Sequence, residues 1–356
     1  MRKESLAFLR ALLSTPSPSG FEHQVQRVWL DYVASLADES YSDTYGNAVA
    51  VLNPGGSPRV MIVGHADEVG LIVRHIDERG FIYPAAIGGL DPAALIGKRY
   101  TIHTAKGPVT GVSGSTAVHL LEKKADRRVG KVHEVFIDIG VKDEKAARRL
   151  VSIGDPITAA VGFEVLQGSV AIARAFDNSI GTWAAAETLR LLRRSRGRLQ
   201  AAVYAVSAVR EETGAKCSQQ VARQIDADIA LVADVGHATD TPGVDQRQFG
   251  RHALGGGPKL VVGGPILLEM RDRLLGVARR EKIPIQPAVN PIRSGSDADA
   301  IFIATEGVAT GLVNLPLRYM HTNVEMIDMK DLEVIPRLFA AFCTSLRKGE
   351  KIKARI

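Results

Sequence analysis

Histidines and acids that could bind metal ions lie at five places in this sequence, each at or just after the end of an apolar run. They are His65 with Asp67, Asp177, Glu211 with Glu212, Asp234, and His321. In open α/β sheets ligands bind at the carboxyl ends of the strands, so we expect these side chains to lie close together. Imidazole and carboxylate groups suit zinc, cobalt or manganese, and two such ions roughly 3.5–4 Å apart can share one carboxylate. The pattern therefore predicts a two-metal hydrolytic site.

Each of these places has a simpler interpretation when it is taken alone. His65 could be a surface histidine, Asp177 an N-cap, and Asp234 a turn acid. A single histidine such as His321 is more often structural, and the two adjacent glutamates could be the charged start of a helix. The ordered series His, Asp, Glu-Glu, Asp, His is more specific than any one member, and it favours the metal site.

The adjacent carboxylates Glu211 and Glu212 could divide the chemistry between them. One would bind metal and lose basicity, while the other would stay free and take a proton from metal-bound water. In an extended chain Asp67 points to the same face as His65, and it could orient the imidazole of a metal-bound histidine. His237 follows the fourth place, but a loop histidine is more often solvent-facing, so it is left out of the predicted site.

Alternating helices and strands must position these residues. Helices are predicted over residues 4–13, 22–36, 143–150, 179–193, 214–225, 266–281, 297–304 and 331–346. Strands are predicted over 59–63, 100–103, 109–112, 135–137, 157–161, 199–209, 229–235 and 308–315. Residues 283–286 form at best a short edge strand, since Pro284 cannot donate to a ladder, and the Gly-rich segment 250–264 is predicted to be irregular.

Apolar strands that alternate with helices predict an α/β fold whose sheet is covered on both faces. Between residues 69 and 163 the sequence changes, because Gly, Thr and Val become frequent and short β-like runs are separated by turn residues. We therefore predict a small β-rich domain over 69–163, inserted into a catalytic domain formed by residues 1–68 and 164–356.

Composition limits the possible partners and location. The formal net charge of the 356 residues is +6, but Lys and Arg are interleaved with acids, so we expect a solvated surface and no nucleic-acid partner. Because no apolar run approaches the ~18 residues of a membrane span, we expect no membrane partner. Cys217 and Cys343 form no CxxC pattern and lie in helical-looking stretches, which favours buried thiols in a reducing compartment. The N-terminal residues lack a signal-peptide pattern, so a cytoplasmic location is predicted.

The chain resembles the tetrahedral aminopeptidase family over nearly its whole length. Members are named glutamyl, leucyl or deblocking aminopeptidases, and sometimes endoglucanase-M-like proteins. The matching segments are TPSPSGFE (15–22), GHADEVG (64–70), IGGLDP (87–92), HLL (119–121), the pair Asp177-Asn178, EETG (211–214), Asp234 and RYMH (318–321). The resemblance implies a mixed-sheet α/β/α peptidase domain with an inserted, barrel-like dimerisation domain.

The resemblance also implies a role for each residue of the series. It implies that one metal ion is held by His65 and Asp234, a second by Glu212 and His321, and both by Asp177. Asp67 would orient the first histidine, and Glu211 would be the general base. The peptide bond between Asp177 and Asn178 would be cis.

The function implied by the resemblance is a metal-dependent aminopeptidase. It would hydrolyse N-terminal residues from peptides with a free N-terminus, through a metal-activated bridging water and a Glu base. Each subunit would need two divalent ions, zinc or cobalt first and manganese as a third option. The partners would be peptide substrates and further copies of the chain, in dimers and in a tetrahedral dodecamer.

Two other functions stay open at this point. The first is an endoglucanase-like glycoside hydrolase, which needs two carboxylates flanking a sugar and no metal, although the low aromatic content disfavours a sugar-stacking groove. The second is a non-catalytic binding or scaffold protein, which the presence of a complete set of ligands and a base disfavours.

Overall fold

The structure, a computed structural model, describes residues 1–120 and 130–356. The first segment contains α1 (Lys3–Ser14), α2 (His23–Val33), β1 (Glu39–Ser42), β2 (Ala48–Leu52) and β3 (Arg59–His65). The middle segment contains β4 (Gly70–Ile76), β5 (Ile82–Ile87), β6 (Arg99–Thr104), β7 (Gly107–Ser113), β8 (Ile137–Asp138), α3 (Glu144–Leu150) and β9 (Pro156–Ala159). Leu121, part of one segment matched to the family, lies outside the described residues.

The last segment carries most of the helices. It contains β10 (Glu164–Val165), β11 (Val170–Ala173), α4 (Phe176–Arg193), β12 (Ala202–Ala208), α5 (Lys216–Ile225), β13 (Ile229–His237), α6 (Gln246–Phe249), β14 (Lys259–Val262), α7 (Leu268–Arg280), β15 (Gln286–Val289), α8 (Ala298–Ile301), β16 (Ala309–Leu317), β17 (Glu325–Asp328) and α9 (Met329–Ser345). Among the helices of residues 1–120 and 130–356, none has the length and apolar character needed to cross a bilayer.

A mixed sheet forms the centre of the fold, with the strand order β1-β2-β12-β3-β13-β16-β14-β15. The four central strands β12, β3, β13 and β16 are parallel, so their carboxyl ends meet at one edge. β14 runs antiparallel to β16 and is paired on its other side with the edge strand β15. The parallel centre of the sheet is what gathers the predicted site residues at one edge.

The main sheet separates two apolar cores, because alternate residues of a strand face opposite sides. On β3, Val60 and Ile62 face a core formed with α1, α2, α4, α7 and α9. Met61 and Val63 face a second core formed with α5 and α8. A continuous apolar run buried on both faces is typical of such a central parallel strand.

The middle segment forms a closed barrel with the strand order β4-β5-β8-β7-β6-β9. Its interior contains a third apolar core, which includes Leu71, Ile82, Ile102 and Ile157. The barrel strands lie inside the segment 69–163 that was predicted as an inserted domain. A small third sheet, β10-β11-β17, lies outside both, and β11 pairs with β17 so that Ala173 faces Glu325.

The predicted α/β fold with a β-rich barrel is confirmed, whereas some predicted elements differ from the structure. The segment 250–264 was predicted to be irregular, but it contains β14, a strand of four residues. The predicted edge strand 283–286 is wrong in position, since β15 begins at Gln286; its place at the sheet edge is confirmed. Cys217 and Cys343 are buried free thiols, as predicted.

Candidate metal centre

The predicted site residues lie together at the carboxyl edge of the main sheet. Their places are the end of β3 (His65) and the loop after it (Asp67), the start of α4 (Asp177), the turn after β12 (Glu211 and Glu212), the second half of β13 (Asp234), and the loop after β16 (His321). The structure therefore brings together side chains from segments separated by more than 250 residues of sequence.

Two groups of possible ligand atoms share Asp177. His65, Asp177 and Asp234 offer atoms that lie within 4.8 Å of one another, and Asp177, Glu212 and His321 do the same. Nε2 of His65 lies 3.3 Å from Oδ1 of Asp177, and Nε2 of His321 lies 3.3 Å from Oδ2. A carboxylate whose two oxygens face different histidines is placed to bridge two cations.

Both histidines have their second ring nitrogen occupied by a backbone carbonyl. Nδ1 of His65 lies 3.0 Å from the carbonyl oxygen of Asp67, and Nδ1 of His321 lies 2.7 Å from that of Gly89, which follows β5 of the barrel. A carbonyl only accepts, so these bonds require Nδ1–H. In the neutral ring Nε2 then keeps its lone pair, which is the form that binds metal.

Asp67 contacts more of the site than a role in orienting His65 requires. Its carboxylate accepts the backbone N–H groups of Glu211 and Glu212, at 2.9 and 3.0 Å, and the hydroxyl of Ser19 at 2.6 Å. Its Oδ1 is 3.4 Å from Nδ1 of His65, so the carbonyl of Asp67 is the nearer acceptor for that ring. Asp67 thus fixes the positions of the two glutamates as well as of the histidine.

The segment that precedes α2 supports the same turn. Glu22 is buried, and its Oε1 accepts the backbone N–H groups of Arg210, at 3.1 Å, and of Gly20, at 2.8 Å. Glu22 thus holds the backbone just before the adjacent glutamates, while Ser19 bonds to the Asp67 carboxylate that holds the glutamates themselves. The sequence identified this segment by its resemblance to the family, and the structure shows the contacts that it makes.

Close packing of α4 on the sheet brings Asp177 to this edge. A side chain at Gly64 would meet the backbone of Gly181 at 2.2 Å, so the absence of a Cβ allows the helix to approach β3. The peptide bond between Asp177 and Asn178 is cis, which confirms what the resemblance implied. Asn178 accepts the N–H of Gly181 at 2.9 Å and donates to the carbonyl of Ala233 at 3.0 Å.

Glu325 is a buried residue of this site that the sequence analysis missed. Its Oε2 accepts the backbone N–H of Asp177 at 3.1 Å, and its Oε1 accepts that of His321 at 2.9 Å. Burial and the nearby Asp177 carboxylate raise its pKa. An acid four residues after a candidate histidine was the available signal, but its partners are backbone atoms that carry no sequence pattern.

Burial and mutual repulsion dominate the electrostatics of the carboxylates. Burial, together with the nearby carboxylates of Asp297 and Asp234, raises the pKa of Glu211 to about 9, although His65 acts in the opposite direction. Burial likewise raises the pKa of Asp297 to about 6, and both of its carboxylate oxygens lack a hydrogen-bond partner among the described residues. Several buried acids of like charge are costly unless cations compensate them.

The histidines show the opposite shift. Burial lowers the pKa of His321, but its contacts with Asp177 and Glu212 outweigh burial and raise the pKa to about 11. For His65, burial is likewise outweighed by Asp177 and Asp67, which raise its pKa. The carboxylates of this site outnumber its cationic side chains, and divalent cations fit a site with such an excess of negative charge.

The chain is similar to known proteins in both sequence and fold. The family model described as M42 glutamyl aminopeptidase matches residues 46–338. A lysyl aminopeptidase of Pyrococcus furiosus is 31% identical over 343 residues, which covers 95% of this chain and 96% of the relative. A TET aminopeptidase from the marine sediment archaeon Thaumarchaeota archaeon SCGC AB-539-E09 is 30% identical, with a TM-score of 0.91 and coverage of 96% of each chain. The TET1 peptidase of Pyrococcus horikoshii is 26% identical, with a TM-score of 0.84, and the match covers 96% of this chain and 100% of that one. The chain therefore belongs to the M42 glutamyl aminopeptidase family, and its enzyme class is aminopeptidase.

Proposed function

We propose that the chain holds two divalent cations, one at His65, Asp177 and Asp234 and one at Asp177, Glu212 and His321. The observation that carries this proposal is the shared carboxylate of Asp177, whose two oxygens each face Nε2 of a different histidine. Zinc and cobalt are the first candidates and manganese the third, since imidazole and carboxylate ligands suit all three.

The proposed reaction is hydrolysis of the first peptide bond of a peptide with a free N-terminus. Bound at the two groups, the cations would supply Lewis acidity that polarises the substrate carbonyl and lowers the pKa of water. Glu211 belongs to neither group, and its Oε2 lies 3.8 Å from Nε2 of His65. Its carboxylate accepts a proton from the attacking water and passes that proton to the leaving amine.

Asp67 acts as a positioning residue in this proposal. It holds the backbone of Glu211 and of Glu212 through separate carboxylate oxygens. The base therefore keeps a fixed distance from the ligand that follows it in the chain. A displacement of about 1 Å can cost on the order of 100-fold in rate.

Peptides are the proposed substrates, but the names of the relatives leave the preferred N-terminal residue open. The family description names a glutamyl aminopeptidase, whereas the Pyrococcus furiosus relative is named a lysyl aminopeptidase. Side chains around the site must therefore decide this preference.

We also propose that the chain forms homo-oligomers, with dimers formed through the barrel domain of residues 69–163 and six dimers in a tetrahedral dodecamer. Support comes from the Pyrococcus horikoshii TET1 peptidase, which is described as assembling into a tetrahedron or a large octahedral shell. Light scattering tests this proposal, because a subunit has a mass of 38.2 kDa. A monomeric mass for the metal-loaded protein would contradict it.

The central experiment is a panel of aminoacyl-anilides and their N-acetylated forms, offered to metal-free protein refilled with zinc, cobalt or manganese. We expect hydrolysis of the free amines that depends on metal, and little hydrolysis of the acetylated forms. Cleavage of a glucan that survives EDTA would instead favour the glycoside hydrolase. Two bound ions without peptide cleavage would favour a binding protein.

A further inference from the structure

Asp297, the residue just before α8, is a buried acid that belongs to neither group of ligands. It is 1% exposed, and neither of its carboxylate oxygens has a hydrogen-bond partner in residues 1–120 and 130–356. Burial raises its pKa, and Ser218 on α5 is close enough to oppose this shift, but the Ser218 hydroxyl donates to the carbonyl oxygen of Ala215 at 2.9 Å. Acids are almost never this buried without a partner, because an uncompensated charge is costly to desolvate.

The register of the main sheet shows to which face two ligands of the first cation point. Val63 of β3 and Val232 of β13 are paired neighbours, and both belong to the core formed with α5 and α8. His65 and Asp234 each lie two residues further along the same strands, and residues two apart in a strand point to the same face. Both ligands therefore point toward the side of the sheet that α5 and α8 cover.

Asp297 lies on this side of the sheet. Ala298, the first residue of α8, packs in the same core, and Asp297 directly precedes it. The electrostatics agree with this position. Besides burial, the carboxylate of Asp297 raises the pKa values of Glu211 and Asp234, and His65 in turn lowers the pKa of Asp297.

The ligands of the second cation are more distant from Asp297. The helix that carries Asp177, α4, packs on the opposite face of the sheet, where it approaches Gly64. Apart from burial, the main influences on the pKa values of Glu212 and His321 are each other and Asp177. The position of Asp297 is therefore specific to the first group of ligands.

A cation in the first group would compensate the buried charge of Asp297. The charged groups that act most strongly on the pKa of Asp297 are His65 and Asp67. Asp67 is itself an acid, and a histidine that binds metal is neutral. With metal bound, the nearby positive charge is therefore that of the ion, and a buried acid close to it is no longer uncompensated.

We propose that Asp297 is a positioning residue of the first cation, which it stabilises through its charge without binding the ion. The ion and the buried carboxylate thus depend on each other, since each lowers the cost of placing the other in the protein interior. This inference rests on the proposed two-cation site and goes beyond it, because Asp297 is in neither group of ligands.

Replacement of Asp297 by Asn should have opposite effects on the fold and on metal binding. Asparagine keeps the size of the side chain, removes the buried charge, and offers an NH2 group to the carboxylates around it. The Tm of the metal-free protein at pH 8 should therefore rise. Zinc affinity of the first site should fall by at least about 10-fold. A residue that only supports the fold would show the reverse, a lower Tm with unchanged zinc affinity.

The test measures zinc affinity with a competing chelator in two backgrounds that each keep one complete group of ligands. His321→Ala keeps the first group and His65→Ala keeps the second. Adding Asp297→Asn should weaken zinc binding by at least about 10-fold in the first background and leave it nearly unchanged in the second. Glu306→Gln is the matched control, because it removes one negative charge at an exposed position, and it should change neither affinity.

The outcomes separate failure of this inference from failure of the proposed function. A wild type that binds fewer than two ions would overturn both. If the wild type binds two ions, unchanged affinity of Asp297→Asn in the His321→Ala background would overturn the inference alone, and so would equal weakening in both backgrounds. Failure of both Asp297→Asn and the smaller Asp297→Ser to fold would also contradict it, because the inference predicts a more stable metal-free fold.

Discussion

Replacement of Glu325 by Gln should weaken the second cation site more than the first. Each carboxylate oxygen of Glu325 accepts one backbone N–H, from Asp177 and from His321. Glutamine keeps one acceptor and turns an NH2 donor toward the other N–H, so at least one of these bonds is lost. The side chain keeps its size, and the change is therefore confined to the hydrogen bonds that hold the two ligand-bearing loops.

The magnitude follows from the type of bond and from what it positions. A hydrogen bond to a charged group contributes about 1.5–3 kcal/mol. Loss of a partner that orients metal ligands typically lowers metal affinity by about 10- to 100-fold, which is about 1.4–2.7 kcal/mol at 1.36 kcal/mol per tenfold. The group that contains both Asp177 and His321 should show most of this loss of affinity, because Glu325 holds the backbone of both residues.

The assay is a titration of metal-free protein with zinc in competition with a chromogenic chelator, followed by counting of ions per chain. We expect the wild type to bind two ions and the variant to show one site that is weaker by the stated factor. Glu306→Gln is the control, since Glu306 is exposed. Thermal unfolding of the metal-free forms checks that the variant is folded. Two sites of wild-type affinity in a folded Glu325→Gln protein would refute the reasoning.

Four further outcomes are expected. Glu211→Gln should retain both ions but lose most turnover, at least about 100-fold, because the amide cannot accept the proton; near-normal rates would exclude Glu211 as the base. Asp177→Ala should lose metal from both groups, and full occupancy by elemental analysis would contradict the bridging role. Because the pKa values of His65 and His321 are raised in the metal-free protein, metal affinity should rise with pH. Zinc binding at pH 7 should release protons, which calorimetry in buffers of different ionisation enthalpy would measure. Activity should fall below about pH 6. The pKa of Lys259 is lowered from 10.5 to about 8, so between these two pH values the unfolded chain binds more protons than the folded chain, and the stability of the wild type rises with pH. Lys259→Met should therefore raise Tm most at pH 7 and least near pH 10.5.

The sequence was sufficient to predict which acids and histidines lie together at one edge of the sheet, because each follows an apolar run. His65 and Asp234, for example, lie in strands whose preceding residues are buried on both faces. Such runs are recognisable as central parallel strands, and their carboxyl ends meet at one edge. The order of the motifs along the chain was therefore enough to place the site.

The parts that the sequence could not predict depend on backbone atoms and on short or exposed strands. Glu325 bonds to the N–H of Asp177, which is 148 residues away, and no side-chain pattern signals that contact. β1 is exposed at all four residues, so it lacks the alternation that identifies a half-buried strand. β14 contains four residues within a Gly-rich stretch, and its pairing with β16 is a tertiary contact that local sequence does not encode.

The hydrogen bond from Nδ1 of His321 to the carbonyl of Gly89 limits which barrels from other proteins could replace this one. Inserted domains are usually regarded as modules that can be deleted, shortened or grafted without harm to the host domain. Here the barrel helps to build the candidate metal centre, because a loop that leaves β5 sets the tautomer of His321, which lies outside the barrel. A chimera that receives a barrel from another protein should therefore retain the path of this loop, including the residue whose carbonyl meets the imidazole, even where the rest of the barrel is replaced.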